Sequence, residues 1–234
     1  MTRPTSPAPL KIDFHTHTSE DPKDTIDYDA RRLIDRAAEL GYDALAITNH
    51  YVVAHTPALE SYAGRLGILL LPGVELTLSG KHVLVINPGF RRNPGAGTFE
   101  DLARISGPDT LIVAPHPFFY GFKSLQRDLF ALIRRFDAIE FSSFYNHRVD
   151  MNRKGLAAAA AARKPVIGSS DCHNIWQFGG TYSLVEAAQD PRAIVQAVKA
   201  GQVAVRSSPL SLPTMFRIGV NFLLTDRLKL RRRI

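Results

Sequence analysis

Histidine and acidic residues recur at the ends of short apolar segments along this 234-residue chain. The first segment, LKIDFHTH, ends in His15 and His17. Later segments end in or contain the same residue types, at His50, Glu75, His116, Glu140, Asp171 and His173. Neutral imidazole and carboxylate groups suit zinc, manganese or iron, and the near absence of cysteine argues against a structural zinc site. The pattern therefore indicates a metal site built from imidazoles and carboxylates.

Two pairs of these residues are separated by one position. Side chains alternate between the two faces of a strand, so His15 and His17 project the same way and can share one ion. Asp171 and His173 have the same spacing, which leaves Cys172 pointing elsewhere. The spacing therefore agrees with shared ligation within each pair.

The number of candidate ligands exceeds the roughly four that a single zinc ion needs. The candidates are His15, His17, Asp24 with Asp21 as its alternative, His50, Glu75, His82, His116, Asp171 and His173. This surplus predicts two to three divalent ions, with Glu75 as a bridge. Glu140, inside an apolar segment, is interpreted as supporting the ligands or pairing with an arginine.

Strands and helices must position these residues. Short apolar runs predict strands at Leu10–Phe14, Ala44–Thr48, Ile68–Leu71, His82–Ile86, Thr110–Ala114, Ala138–Phe141, Pro165–Gly168 and Tyr182–Val185. Helical periodicity and capping residues predict helices at Asp29–Leu40, 127–135, 150–162 and Pro191–Ala200. Alternating strands and helices are typical of a parallel sheet covered by helices. Periodicity leaves a closed β/α barrel and an open doubly wound sheet as alternatives.

Strand polarity brings these polar residues to one place. In a β/α barrel the carboxyl ends of all strands gather at one rim, where active sites lie. Six predicted strands deliver a histidine or an acid at that end, and only His82 stands at the front of its strand.

Composition limits the class of protein. With 45% hydrophobic and 22% charged residues, the chain suits one globular domain, and it has no apolar run of the roughly 18 residues that span a membrane. The composition of residues 1–9 predicts a flexible lead without a secretory signal, and we expect residues 10–212 to form the domain itself. The single cysteine, Cys172, excludes an internal disulfide and predicts a cytoplasmic protein.

The net charge of +7 comes mainly from the C-terminus, because RLKLRRRI holds five of the 29 Lys and Arg residues. Apolar residues at helical spacing within 213–234, followed by cations, predict a C-terminal helix docked on the domain and a solvated basic tail. The alternative is an interfacial helix attracted to an anionic membrane surface or nucleic acid.

Seven motifs, in order, resemble the PHP (polymerase and histidinol phosphatase) family of metal-dependent phosphoesterases. They are DFHTHTSED at 13–21, ALAITNH at 44–50, PGVE at 72–75, HVLV at 82–85, APHP at 114–117, AIEF at 138–141 and GSSDCH at 168–173. The resemblance implies a distorted (β/α)7 barrel with a trinuclear metal centre at the carboxyl rim. It implies three ligand sets: His15, His17, Glu75 and Asp171; Glu75, His82 and His116; His50, His173 and Asp24.

The resemblance also implies hydrolysis of a phosphate ester, a phosphomonoester or small nucleotide, by a metal-bound hydroxide. Glu75 and Asp171 would be catalytic through the metals. His147 would protonate the leaving group, and Arg148 would hold the phosphate, with Lys123 as second choice.

Two other functions stay open. An amidohydrolase-type barrel also begins with His-x-His, but often bridges its metals with a strand-end lysine, which this chain lacks. A non-catalytic PHP module could instead bind nucleic acid or a partner through the basic tail. The filled ligand positions favour the hydrolase.

Overall fold

The computed structural model describes residues 8–90 and 94–220. Its strands are β1 (Leu10–Asp13), β2 (Ala44–Ile47), β3 (Leu69–Leu78), β4 (Lys81–Ile86), β5 (Leu111–Ala114), β6 (Ala138–Ser142), β7 (Val166–Ser169), β8 (Thr181–Val185) and β9 (Val203–Ser207). Its helices are α1 (Ala30–Glu39), α2 (Pro57–Arg65), α3 (Leu102–Ile105), α4 (Asp128–Leu132), α5 (Asn152–Ala162) and α6 (Pro191–Lys199). Short 3-10 helices cover Phe99–Asp101, Ile133–Arg135 and Ile175–Gln177.

The nine strands form one mixed sheet in the order β7-β6-β5-β4-β3-β2-β1-β8-β9. Neighbours pair in parallel except around β4 and β8, which run antiparallel to both of their neighbours. The expectation of a wholly parallel sheet is therefore wrong. The two-residue turn Ser79-Gly80, with φ of 47° and 79°, explains β4, because parallel strands need a much longer crossover.

The sheet curls until its two ends meet. The Gly168 N–H of β7 donates to Ser183 Oγ of β8 at 2.9 Å, and that hydroxyl donates to Gly168 O at 2.9 Å. A Cβ at Gly168 would lie 2.8 Å from Val205 Cγ1 of β9, so only glycine allows this approach. The predicted β/α barrel is confirmed, with nine strands where seven were expected, and the open doubly wound sheet is wrong.

Three apolar clusters cover the sheet. One joins β1, β2, β4 and β5 to Ile194, Val195 and Val198 of α6. A second packs α1 against Leu45 and Ile47 of β2. The third packs α3, α4 and α5 against β3, β4 and β5. Within the two described segments, no helix is long and apolar enough to cross a bilayer.

Three elements were missed from the sequence: helix α2, the four-residue helix α3 and strand β9. Helix α2 is short, although Thr56 caps it by accepting from Leu59 N–H and Pro57 occupies its first turn. Strand β9 (VAVRS) lies at a sheet end and is only partly buried. Residues 212–220 are helical, with Met215 8% exposed but Leu212 54% and Phe216 75% exposed, and docking of the predicted C-terminal helix stays a prediction. The basic tail and most of the N-terminal lead lie outside the described residues.

Candidate metal centre

One rim of the barrel receives the predicted ligands. His15 and His17 follow β1, His50 follows β2, His116 follows β5, and Asp171 and His173 follow β7. Glu75 lies in β3 and His82 near the start of β4. Because β4 is antiparallel and His82 pairs with Thr77, the start of β4 lies beside the carboxyl end of β3. Strand direction therefore explains why His82 alone stood at the front of its strand.

Glu75 is the centre of the cluster and is 1% exposed. Its Oε1 lies 2.7 Å from His82 Nδ1 and 3.5 Å from His116 Nε2. Its Oε2 lies 3.1 Å from His50 Nε2, 3.5 Å from His17 Nε2 and 3.7 Å from His15 Nε2. The two oxygens thus face different imidazoles, which is the arrangement a bridging carboxylate requires.

Asp171 approaches the first pair of histidines from the segment after β7. Its Oδ1 lies 3.3 Å from His15 Nε2 and 3.5 Å from His17 Nε2. Its backbone has a φ of 48°, which Asp tolerates better than most residues, and its N–H donates to His15 O at 2.9 Å. Cys172 points away, buried, and its carbonyl accepts from Tyr28 OH at 2.9 Å.

The two candidate aspartates take different positions. Asp24 Oδ2 lies 3.1 Å from His173 Nε2 and 3.5 Å from His50 Nδ1, so the predicted set of Asp24, His50 and His173 is brought together. Asp21 Oδ2 accepts from His50 N–H at 2.8 Å and lies 2.9 Å from both His17 Nδ1 and His50 Nδ1. Asp21 therefore orients two imidazoles, whereas Asp24 remains the candidate ligand.

Glu140 supports the cluster from β6. Its Oε1 lies 2.9 Å from His15 Nδ1, and its Oε2 accepts from His116 N–H at 2.7 Å. In the part of the chain that the structure describes, no arginine pairs with Glu140, so that alternative is wrong. Its two carboxylate oxygens fix two ligands at once.

Asp13 is a site residue that sequence reasoning missed. Its Oδ1 accepts from His15 N–H and from Ser170 N–H, each at 3.1 Å. Burial raises its pKa to about 7, although these hydrogen bonds lower it. It ties the segment after β1 to the segment after β7, and its signal was a charged residue inside an apolar strand.

The Nε2 atoms of His15 and His17 converge on one point, as the ligands of a cation do. The Nδ1 atoms of His15 and His17 face Glu140 and Asp21, which accept hydrogens, so each Nε2 presents a lone pair. These two Nε2 atoms are only 3.1 Å apart. In addition, Glu75 Oε1 and both ring nitrogens of His82 are buried without an aligned hydrogen bond, although Glu75 Oε1 lies 2.7 Å from His82 Nδ1. Converging lone pairs and orphaned buried acceptors are satisfied by a divalent ion.

The electrostatics agree with this fit. Burial lowers the pKa of His15, but Asp171, Glu140 and Glu75 outweigh it and raise that pKa well above its usual value. Burial lowers the pKa of His17, but its hydrogen bonds to Asp171 and Asp21 outweigh the burial and raise that pKa to about 10. Burial opposes ionisation of Glu75, yet the surrounding imidazoles hold its pKa well below normal. The pocket therefore attracts positive charge.

The predicted substrate-facing residues are less closely tied to the cluster. His147 and Arg148 are exposed on the loop after β6, where Arg148 N–H donates to Asn146 Oδ1 at 2.8 Å. Among residues 8–90 and 94–220, no ion pair or hydrogen bond joins either side chain to the cluster. Lys123 is exposed, and its carbonyl accepts from His82 N–H at 2.8 Å. The roles of these three residues stay predictions.

Comparison with known proteins gives matches in sequence and in fold. A family model described as PHP-associated matches residues 150–203. A segment of 65 residues is 37% identical to the PolC-type DNA polymerase III of Staphylococcus saprophyticus, covering 28% of this chain but only 4% of the polymerase.

Two solved structures share the fold. PsfC from Pseudomonas syringae is 22% identical with a TM-score of 0.62, over 94% of this chain and 99% of that one. A candidate metal-dependent phosphoesterase from Bifidobacterium adolescentis is 18% identical with a TM-score of 0.54, over 69% and 87%. These structures show the fold alone, and the two partial sequence matches, together with the ligand-lined barrel rim, support a relation to the PHP domain family.

Proposed function

We propose that this chain is a metal-dependent phosphoesterase that hydrolyses a phosphomonoester or a small nucleotide at a centre of two or three divalent ions. The proposal rests mainly on Glu75, whose two oxygens lie between five histidines from four different strand ends. A carboxylate shared in this way is typical of hydrolases whose ions act together on one phosphate.

Three groups of residues would hold the ions, which we take to be zinc, manganese or iron. They are the sets that the family resemblance implies, and pairwise distances support them: His15, His17, Glu75 and Asp171; Glu75, His82 and His116; and His50, His173 and Asp24. When bound, the ions would acidify a water molecule and neutralise charge on the phosphoryl oxygens.

The protein's own groups prepare this site. Glu140 and Asp21 accept from the Nδ1 atoms of His15 and His17, which leaves each Nε2 directed into the cluster. Burial of His15, His17 and Glu75 excludes water from one side of the site, whereas Asp171 and His173 are partly exposed. A phosphate would therefore enter from the side of Asp171 and His173.

Two exposed residues are assigned to the substrate. Arg148 would hold phosphate oxygens with its planar guanidinium, and His147 beside it would donate a proton to the leaving alkoxide oxygen. Both lie on the loop after β6, whose Ser143 Oγ donates to Ser170 O at 2.7 Å, next to Asp171. Lys123 remains the second choice for the phosphate.

The substrate is proposed to be a small molecule. Binding of nucleic acid or an anionic membrane surface through the basic tail is not favoured, because all candidate ligands precede residue 174. A cytoplasmic location is proposed from the single cysteine.

A substrate panel tests the proposal. Protein loaded with manganese, zinc or iron is assayed against phosphomonoesters, phosphodiesters, short oligonucleotides and cyclic amides. We expect phosphate release from monoesters that chelation abolishes. Turnover of amides alone would instead support an amidohydrolase, and no turnover by a fully loaded protein would support a non-catalytic module.

A further inference from the structure

The loop after β5 is unusually rich in exposed aromatic rings. We name residues 117–124, PFFYGFKS, the aromatic loop. At its tip the Tyr120 side chain is 78% exposed and that of Phe122 is 98% exposed. Single exposed apolar residues are common, but neighbouring exposed rings next to a candidate site offer a ligand a surface whose burial is favourable.

The base of the aromatic loop is fixed to the metal centre. Ser124 Oγ lies 3.2 Å from His116 Nδ1, and Lys123 O accepts from His82 N–H at 2.8 Å. Lys81 Nζ, on β4, donates to Phe122 O at 3.1 Å and to Ser124 O at 3.0 Å. The loop therefore begins directly after the candidate ligand His116, and its far end contacts both His116 and His82.

An aromatic surface connects the metal centre to the loop. The Phe119 ring lies edge-on to the His116 ring, with centroids 6.2 Å apart, and edge-on to Phe144, with centroids 5.3 Å apart. Both phenylalanines are half-buried, whereas Tyr120 and Phe122 extend beyond them into solvent. When the phosphate of a substrate lies at the ions, its leaving group would therefore contact these rings.

Building on the proposed phosphoesterase function, we propose that the aromatic loop selects substrates whose leaving group carries a planar aromatic ring, such as a nucleobase. Planar rings stack favourably on aromatic side chains whatever their hydrogen-bonding pattern. A bare sugar phosphate offers only hydroxyl groups to Tyr120 and Phe122 and leaves both rings in water. The loop is thus a specificity element for the leaving group.

A matched pair of substrates tests this selection. Adenosine 5′-monophosphate and ribose 5-phosphate share the same reacting ester and differ in the base. We expect the metal-loaded protein to have a kcat/KM about tenfold higher for the nucleotide, in line with stacking on aromatic side chains. Combining Tyr120→Ala with Phe122→Ala should remove most of that preference through a higher KM for the nucleotide, while turnover of ribose 5-phosphate and metal content stay unchanged.

Phe216→Ala provides the control, because Phe216 is also an exposed ring, at 75%, but lies in the helical residues 212–220 outside the loop. It should leave the preference intact. Equal turnover of the two substrates, or a preference that survives the double substitution, would overturn the aromatic-loop proposal alone. Hydrolysis of neither substrate by loaded protein would overturn the phosphoesterase proposal and this one with it.

Discussion

The two ends of the barrel use polar side chains in opposite ways. At the amino end, Gln189 Nε2 donates to Asp43 O at 2.7 Å and to Gly67 O at 2.8 Å, and Gln196 Nε2 donates to Pro108 O at 2.7 Å. These side chains are exposed, and each contact ties a loop before a strand to the region of α6. At the carboxyl rim, charged groups are buried and converge on one another.

The contrast separates stability from function. Amino-end side chains have ordinary partners, so their loss removes only a hydrogen bond. At the rim, Glu75 Oε1 and the ring nitrogens of His82 lack aligned hydrogen bonds, although they are buried. Burial of unsatisfied groups is costly and persists where a ligand satisfies them. The buried polar groups of the rim therefore lower the free energy of unfolding, and a bound ion would satisfy them. This agrees with the position of active sites in β/α barrels.

The largest expected effect is at the centre of the rim. Glu75→Gln keeps the shape of the side chain but removes the charge that the five histidines face. We expect kcat/KM for a phosphomonoester to fall about a thousandfold or more, with loss of bound metal. Steady-state kinetics with metal analysis measures this, and wild-type turnover in this variant would refute the assignment of the bridge.

Glu140→Gln should have a smaller effect, because Glu140 acts through His15 and His116. Loss of such an orienting carboxylate typically costs about 10- to 100-fold in metal affinity or activity. A metal titration compared with the wild type is the measurement. An unchanged affinity would show that Glu140 only fills space in β6.

Gly168→Ala tests the closure of the barrel, where β7 contacts β8 and β9, rather than the candidate metal centre. The added methyl group would meet Val205 Cγ1 at 2.8 Å and Tyr182 O at 2.9 Å. Overpacking of this kind costs about 1–3 kcal/mol of unfolding free energy. Urea unfolding measures the loss, and a variant of wild-type stability would mean that the sheet is more open here than the hydrogen bonds indicate.

Gln189→Ala should have the smallest effect. It removes two exposed hydrogen bonds at the amino end, each contributing about 0.5–1.5 kcal/mol at most. We expect a slightly lower unfolding free energy and unchanged metal content and turnover. A drop in turnover would show that the two ends of the barrel are not independent.

Much of this contrast between the two ends of the barrel could be predicted from the sequence, because the sequence shows residue types directly. It does not show their geometry. The eight predicted strands were found because buried apolar runs give a clear signal, but β3 continues to Leu78, well beyond its predicted end at Leu71. Strand direction was not predictable in the same way, although Ser79-Gly80 between β3 and β4 carried the hairpin signal. Strand β9 was missed because it is short and half-exposed.

The candidate ligands were also identified from residue type and order, but their supporting partners were not. Nothing in the sequence brings Asp13 to Ser170, because 157 positions separate them and only closure of the barrel joins them. Likewise, Asp21 and Asp24 are alike in sequence, and only the fold of their loop turns one to His17 and the other to His173.

The metal content of gently purified protein tests the shared centre most directly. Elemental analysis of the wild type is compared with Asp171→Asn, a substitution that keeps a residue suited to the positive φ of position 171 while removing its charge. We expect two to three zinc, manganese or iron ions per wild-type chain and fewer in the variant, with thermal stability falling on chelation. One ion or none in the wild type, or an unchanged content in a folded variant, would contradict a multinuclear centre at this rim.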